Sequence, residues 1–146
     1  MIVPETSGWR FLCDTANAKL FELEPGIVVV EPKQGAHDTV ATAKSNLEQG
    51  SRYLASCGGG IVLVYFDLLA GQEWAARRVY RSYDPSVCFG MGMIGGTPLA
   101  RAMMSFFLGL ARVPNLPTKV FGSTEEAVQW ARASIGARSV RAAAAS

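Results

Sequence analysis

The sequence predicts an α/β domain: a layered mixed sheet of four or five strands, opening in an antiparallel hairpin and continuing with parallel strands, with about four helices. Three observations carry this. Apolar runs of strand length alternate along the chain with stretches of helical periodicity. Residues 61–66 form an unbroken apolar run, the mark of a central strand covered on both faces. Pro25-Gly26 separates two strand-like runs, Pro supplying the fixed φ and Gly the positive φ of a tight turn.

The elements follow in order. Residues 9–13 supply a candidate edge strand. Residues 19–24 and 27–30 flank Pro25-Gly26 as the hairpin. After Gly35 a helix is expected, with Asp38 as N-cap and Val40, Ala43, Leu47 and Leu54 at helical spacing. Gly58-Gly59-Gly60 reads as a flexible connector into the 61–66 strand, which Asp67 closes. Residues 72–83 form a second helix, where Glu73 precedes Arg77 in the favourable i,i+4 order. Residues 87–94 are a further buried strand. Thr97 caps a third helix with Pro98 at its first position, where a missing N–H costs nothing. That helix runs to about residue 111. Residues 118–121 are a short last strand, and Ser123 with Glu126 forms a capping box opening the final helix. Three regions result: an N-terminal segment 1–17, the α/β domain 18–136, and an Ala-rich tail 137–146 expected to fray.

Composition narrows the function. The 146 residues suit one domain with a self-sufficient core. A hydrophobic share of 49% against 18% charged fits a generous core or an apolar contact surface. A net charge of +2 is too small to imply a nucleic-acid partner. Cys13, Cys57 and Cys88 are odd in number and widely spaced, so they read as free thiols in the reducing cytoplasm. Residues 87–111 carry a single charge, Arg101, yet Arg101 and the Gly95-Gly96-Thr97-Pro98 break argue against an integral membrane segment.

Few residues offer chemistry. Gly90-Met91-Gly92-Met93-Ile94-Gly95 matches a G-x-G-x-x-G string, which in a dinucleotide site lets backbone approach a pyrophosphate. The acidic residue that such a site needs about twenty positions on is missing. Close packing inside a strand explains the glycines better. His37 is the only histidine, and nothing in the spacing demands that it meet Cys57 and Asp67 as a nucleophilic triad. No catalytic residue, metal site or cofactor is expected. Asp67 sits at the strand end where open α/β sheets place ligand groups, or else satisfies loop N–H groups.

The third helix is the most informative segment. Leu99, Ala102, Met103, Phe106, Phe107 and Leu110 form a stripe that Met104, Leu108 and Ala111 extend almost all round. Such a helix is deeply buried or offers a contact surface. Met beside Phe makes that surface adaptable, and Arg101 can meet a carboxylate or head group. The expected contact set is Asp67, Leu68, Arg101, Met103, Met104, Phe106, Phe107 and Leu110. The expected partner is another protein or a second copy, with an apolar, anionic small molecule such as a lipid as the alternative.

Val64-Tyr65-Phe66-Asp67, the Ala76-Arg77-Arg78-Val79-Tyr80 helix, Pro98-Leu99-Ala100-Arg101 with Phe106-Phe107-Leu108-Gly109, Pro117-Thr118-Lys119-Val120-Phe121 and Glu125-Glu126-Ala127-Val128-Gln129-Trp130 occur in this order. In that order and spacing they resemble small bacterial STAS-like proteins. These are relatives of the anti-sigma-factor antagonists (sporulation stage II AA-like), whose fold is similar to lipid-binding CRAL-TRIO domains. The resemblance covers residues 18–135. It implies a four- or five-stranded sheet with helices, no catalysis, and a signalling role in partner or ligand binding. Signalling members carry a phosphorylatable Ser just after the central strand. The corresponding Asp67-Leu68-Leu69-Ala70-Gly71 holds no hydroxyl, so a phosphorylation switch is not expected.

Overall fold

The computed structural model describes residue 2 and residues 4–99, 101–102 and 116–145. Its main sheet has six strands in the order β1-β2-β3-β5-β7-β8. β1 (Arg10–Asp14), β2 (Ala18–Glu24) and β3 (Ile27–Pro32) form an antiparallel meander. β5 (Gly60–Tyr65), β7 (Cys88–Ile94) and β8 (Thr118–Phe121) add on in parallel beside β3. The α/β class and mixed topology are those the sequence predicts. The sheet is one strand wider than expected because the edge candidate pairs fully with β2, bending at a bulge between Phe11 and Cys13.

A second, two-stranded parallel sheet was not expected. β4 (Ala36–Asp38) and β6 (Leu69–Gln72) pair beyond the C-terminal ends of β3 and β5, in residues read as helix start and loop. Its presence moves the first helix. Asp38 belongs to β4, and Thr39 is the N-cap of α1 (Val40–Ser56), exchanging hydrogen bonds with Thr42 in a capping box. α1 ends in a Schellman motif. The Gly59 N–H bonds Leu54 C=O at 2.7 Å and the Gly58 N–H reaches Ala55 C=O, with Gly58 at φ +81°. The glycine run is therefore a cap and strand start rather than a loose connector.

α2 (Trp74–Tyr80) is shorter than the predicted 72–83 helix because β6 takes Gln72 and Glu73 is an extended N-cap. Off the helix, Glu73 does not pair with Arg77; its carboxylate accepts from the Val40 N–H at 3.2 Å. α3 (Thr124–Ala145) opens with Ser123 Oγ accepting from the Glu126 N–H at 3.3 Å. It does not stop at Gly136, since the Ala- and Arg-rich residues beyond are strong helix formers. Residues 136–145 are helical and exposed.

Helices cover both sheet faces. α3 packs Ala127, Val128 and Ala131 onto Phe21, Val29, Ile61, Leu63 and Tyr65. On the other face Tyr53, Leu54 and Tyr83 meet Leu20, Val28, Val62 and Met91. Coverage on both sides leaves β5 almost wholly buried, as its unbroken apolar run implied. Among the described residues, no helix is long and apolar enough to cross a membrane.

Candidate functional site

The C-terminal ends of β5, β7 and β8 converge on one backbone turn. The chain leaves β5 through a single 3-10 turn (Phe66–Leu68), which places the Asp67 carboxylate against Gly95-Gly96. Both oxygens accept from the Gly96 N–H at 2.8 Å, and Oδ2 also accepts from the Ile2 N–H at 3.2 Å. The Gly96 carbonyl accepts from Arg101 Nη1 at 2.6 Å. One residue, Gly96, is thus gripped by a carboxylate at its N–H and a guanidinium at its C=O, which fixes the two successive peptide units that flank it. Gly95 has φ +138°, and a Cβ there would stand 2.7 Å from the Asp67 carboxyl carbon. Arg101, half-buried, lies flat beneath Gly122, where a Cβ would come 2.9 Å from Cζ. The grip fixes the start of the following helix, in which Pro98, Leu99, Arg101 and Ala102 are helical and the Arg101 N–H bonds Thr97 C=O at 2.9 Å.

Asp67 and Arg101 are therefore brought together, engaged with backbone. Leu68, expected at the contact surface, is 5% exposed and packs into the core, because the 3-10 turn points it inward. Leu99 is 72% exposed. Met103, Met104, Phe106, Phe107 and Leu110 lie outside the described residues.

The remaining constellations do not assemble. Gly90 and Gly92 lie inside β7, where Cβ atoms would stand 3.0 Å from the Trp130 ring and 2.6 Å from Leu63 respectively. The glycines admit the α3 indole against the sheet. Cys57 precedes β5 and Asp67 follows it, so a six-residue strand of roughly 20 Å separates them. Burial pushes the Cys88 thiol up to about 12, far from a nucleophile's range. Among the described residues no three His, Cys, Asp or Glu side chains cluster as metal ligands.

Two features were missed by sequence reasoning. The first is an open groove of about 680 Å³ between the N-terminal segment and the start of α3, with Trp9, Leu23 and Val128 beside Glu5, Glu125 and Arg132. The second is a buried polar network joining the β1–β2 turn, β4, β6 and both helices of one face. Asp38, 2% exposed, accepts from Thr42 Oγ1 at 2.7 Å, Gln72 Nε2 at 2.9 Å and Asn17 Nδ2 at 3.2 Å. Asn46 Nδ2 donates to Asn17 Oδ1, and Asn46 Oδ1 accepts from Thr15 Oγ1. Burial also raises the Tyr80 phenol, whose hydroxyl accepts from Asn46. The sequence signal was the set of polar residues at inward positions, Asn17, Asp38 and Asn46.

Comparison with solved structures finds the same architecture elsewhere. The chain is similar to the anti-sigma factor antagonist SpoIIAA in its unphosphorylated form, with a TM-score of 0.54 at 12% identity over 79% of this chain and 97% of that one. It is equally similar to an uncharacterised protein of the DUF3478 family with a SpoIIAA-like fold from Shewanella loihica PV-4, with a TM-score of 0.54 at 12% identity over 85% of this chain and 92% of that one. The STAS-like fold that the motifs suggested is thereby established. No curated protein matches the sequence. A family model described as "Domain of unknown function (DUF7793)" matches residues 21–134, from β2 into α3, and the chain belongs to that family.

Proposed function

We propose that the chain is a non-enzymatic regulatory module that docks a protein partner, or a second copy of itself, through an apolar surface beginning at Leu99. The observation that carries this reading is the exposure of Leu99 at 72%, at the start of a helix that follows the Gly95-Gly96 turn gripped by Asp67 and Arg101. A leucine held out at a rigid site loses little freedom on association. The sequence continues from it as Met103, Met104, Phe106, Phe107 and Leu110, side chains suited to an adaptable contact. The fold supports the same class of function, since one protein that shares it is an anti-sigma factor antagonist. A cytoplasmic setting suits the three free thiols.

Size-exclusion chromatography with light scattering tests the reading. A defined dimer that Leu99→Glu and Phe106→Glu convert to a folded monomer supports it. A strict monomer that Phe106→Glu unfolds makes the stripe core and overturns it. A lipid-sized adduct in native mass spectrometry would instead favour the carrier of an apolar, anionic molecule.

A further inference from the structure

α2 is held more firmly than its burial requires. Ala76 is its only buried residue, and Trp74 is 73% exposed. A single exposed aromatic needs no explanation. This one is fixed by a chain of contacts that starts in the interior. The buried Asp38 carboxylate accepts from Gln72 Nε2 at 2.9 Å, and Gln72 Oε1 accepts from Arg77 Nε at 2.9 Å. The Arg77 guanidinium then lies 4.8 Å from the centre of the Trp74 ring. Ordering a long, rotamer-rich side chain such as Arg carries a large entropic cost. Little apolar area is buried in return, because the ring stays in water. What the arrangement does provide is an aromatic and a guanidinium already set in place, which lowers the ordering cost of association.

Positive charge is concentrated around it. Arg77, Arg78 and Arg81 fall within five positions. Among the described residues none of them has a carboxylate within ion-pair distance. Glu73, four positions before Arg77, is turned toward the Val40 N–H, and Asp84, three after Arg81, accepts from the Ser86 N–H at 2.8 Å. Arg78 and Arg81 are exposed. All three are arginines, whose planar forks match carboxylates bidentately. Trp and Arg are also the residues that most often dominate protein interfaces.

We infer that Trp74, Arg77, Arg78 and Arg81 form a docking surface for an acidic segment of a partner protein that pairs carboxylates with an aliphatic side chain. The indole takes the aliphatic group, and the guanidinium forks take the carboxylates. Fixed, directional donors suit carboxylates on a peptide backbone better than a fluid lipid surface. The residues are distinct from the Leu99 surface, and the inference stands whether or not that surface docks.

An NMR titration of the full chain tests it, using a dodecapeptide of Glu and Leu as probe. The comparators are a Lys and Leu peptide of equal length, inorganic phosphate and phosphatidylglycerol vesicles. The expected result is saturable shifts of the Trp74 indole N–H and the α2 amides with the acidic peptide alone. Affinity should fall about ten-fold in Trp74→Ala and in the Arg78→Glu/Arg81→Glu double variant. Lys44→Glu, on the exposed side of α1, should bind within two-fold of wild type. Gln72→Ala should weaken binding while leaving its salt dependence unchanged, since no charge is removed. The inference is overturned by scattered or absent shifts, by equal responses to phosphate or vesicles, or by variants that bind as tightly as wild type.

Discussion

Glu22 ties the edge of the sheet to a helix. Arg10 donates to both of its carboxylate oxygens at 3.1 and 3.0 Å, and the Tyr53 hydroxyl donates to one of them. The Arg10 hydrogen bond, then that of Tyr53, holds the Glu22 carboxyl below its usual value. The folded state therefore releases this proton more readily than the unfolded one. The stabilisation is complete above the ordinary glutamate value of about 4.3 and is lost as pH falls through the lower folded value. Urea unfolding between pH 3 and 7 should show wild type losing stability faster than Glu22→Gln below about pH 4. Parallel curves would contradict this. At the same scale, the position of Asp67 was legible because an apolar run ends there, whereas its hold on Gly96 was not, since that partner lies in a different strand connection. The i,i+3 spacing of Trp74 and Arg77 was also visible in the sequence. Its significance was hidden, because Gln72 and Asp38 complete the chain only after β4 pairs with β6.

Elements with strong local signals were read closely. β8 was placed at its observed bounds, and the β2–β3 hairpin follows from Pro25-Gly26. β4 and β6 escaped because three and four residues hold no periodicity, and their pairing spans a helix and a strand. The glycines make a test of opposite signs. A Cβ on Gly60 would clash with the Gly26 carbonyl, backbone against backbone, at the point where β3 and β5 meet. Gly60→Ala should destabilise by at least ~2 kcal/mol in urea unfolding. Gly136, in the exposed part of α3, has open space around its Cβ position, so Gly136→Ala should stabilise by about 0.5–1 kcal/mol. A neutral Gly60→Ala would mean that the two strands do not approach as described.

The whole molecule is a mixed sheet with helices on both faces, and among the described residues no three His, Cys, Asp or Glu side chains come together as a metal site. The layer order was legible because alternating strand and helix signals admit few topologies. Binding surfaces were less so, since exposure depends on where each helix lands. Four large apolar side chains are exposed among the described residues, and two of them, Trp74 and Leu99, follow the C-terminal ends of β5 and β7, where open α/β sheets carry their contacts. Val140, nearly as exposed, lies on the far part of α3 and serves as a control. The most direct test of a docking function is photo-crosslinking in living cells from a benzoylphenylalanine placed at Leu99 or at Val140. The account predicts one discrete adduct, with another protein or a second copy, from Leu99 and none from Val140. Equal labelling from both positions, or none from either, would contradict it.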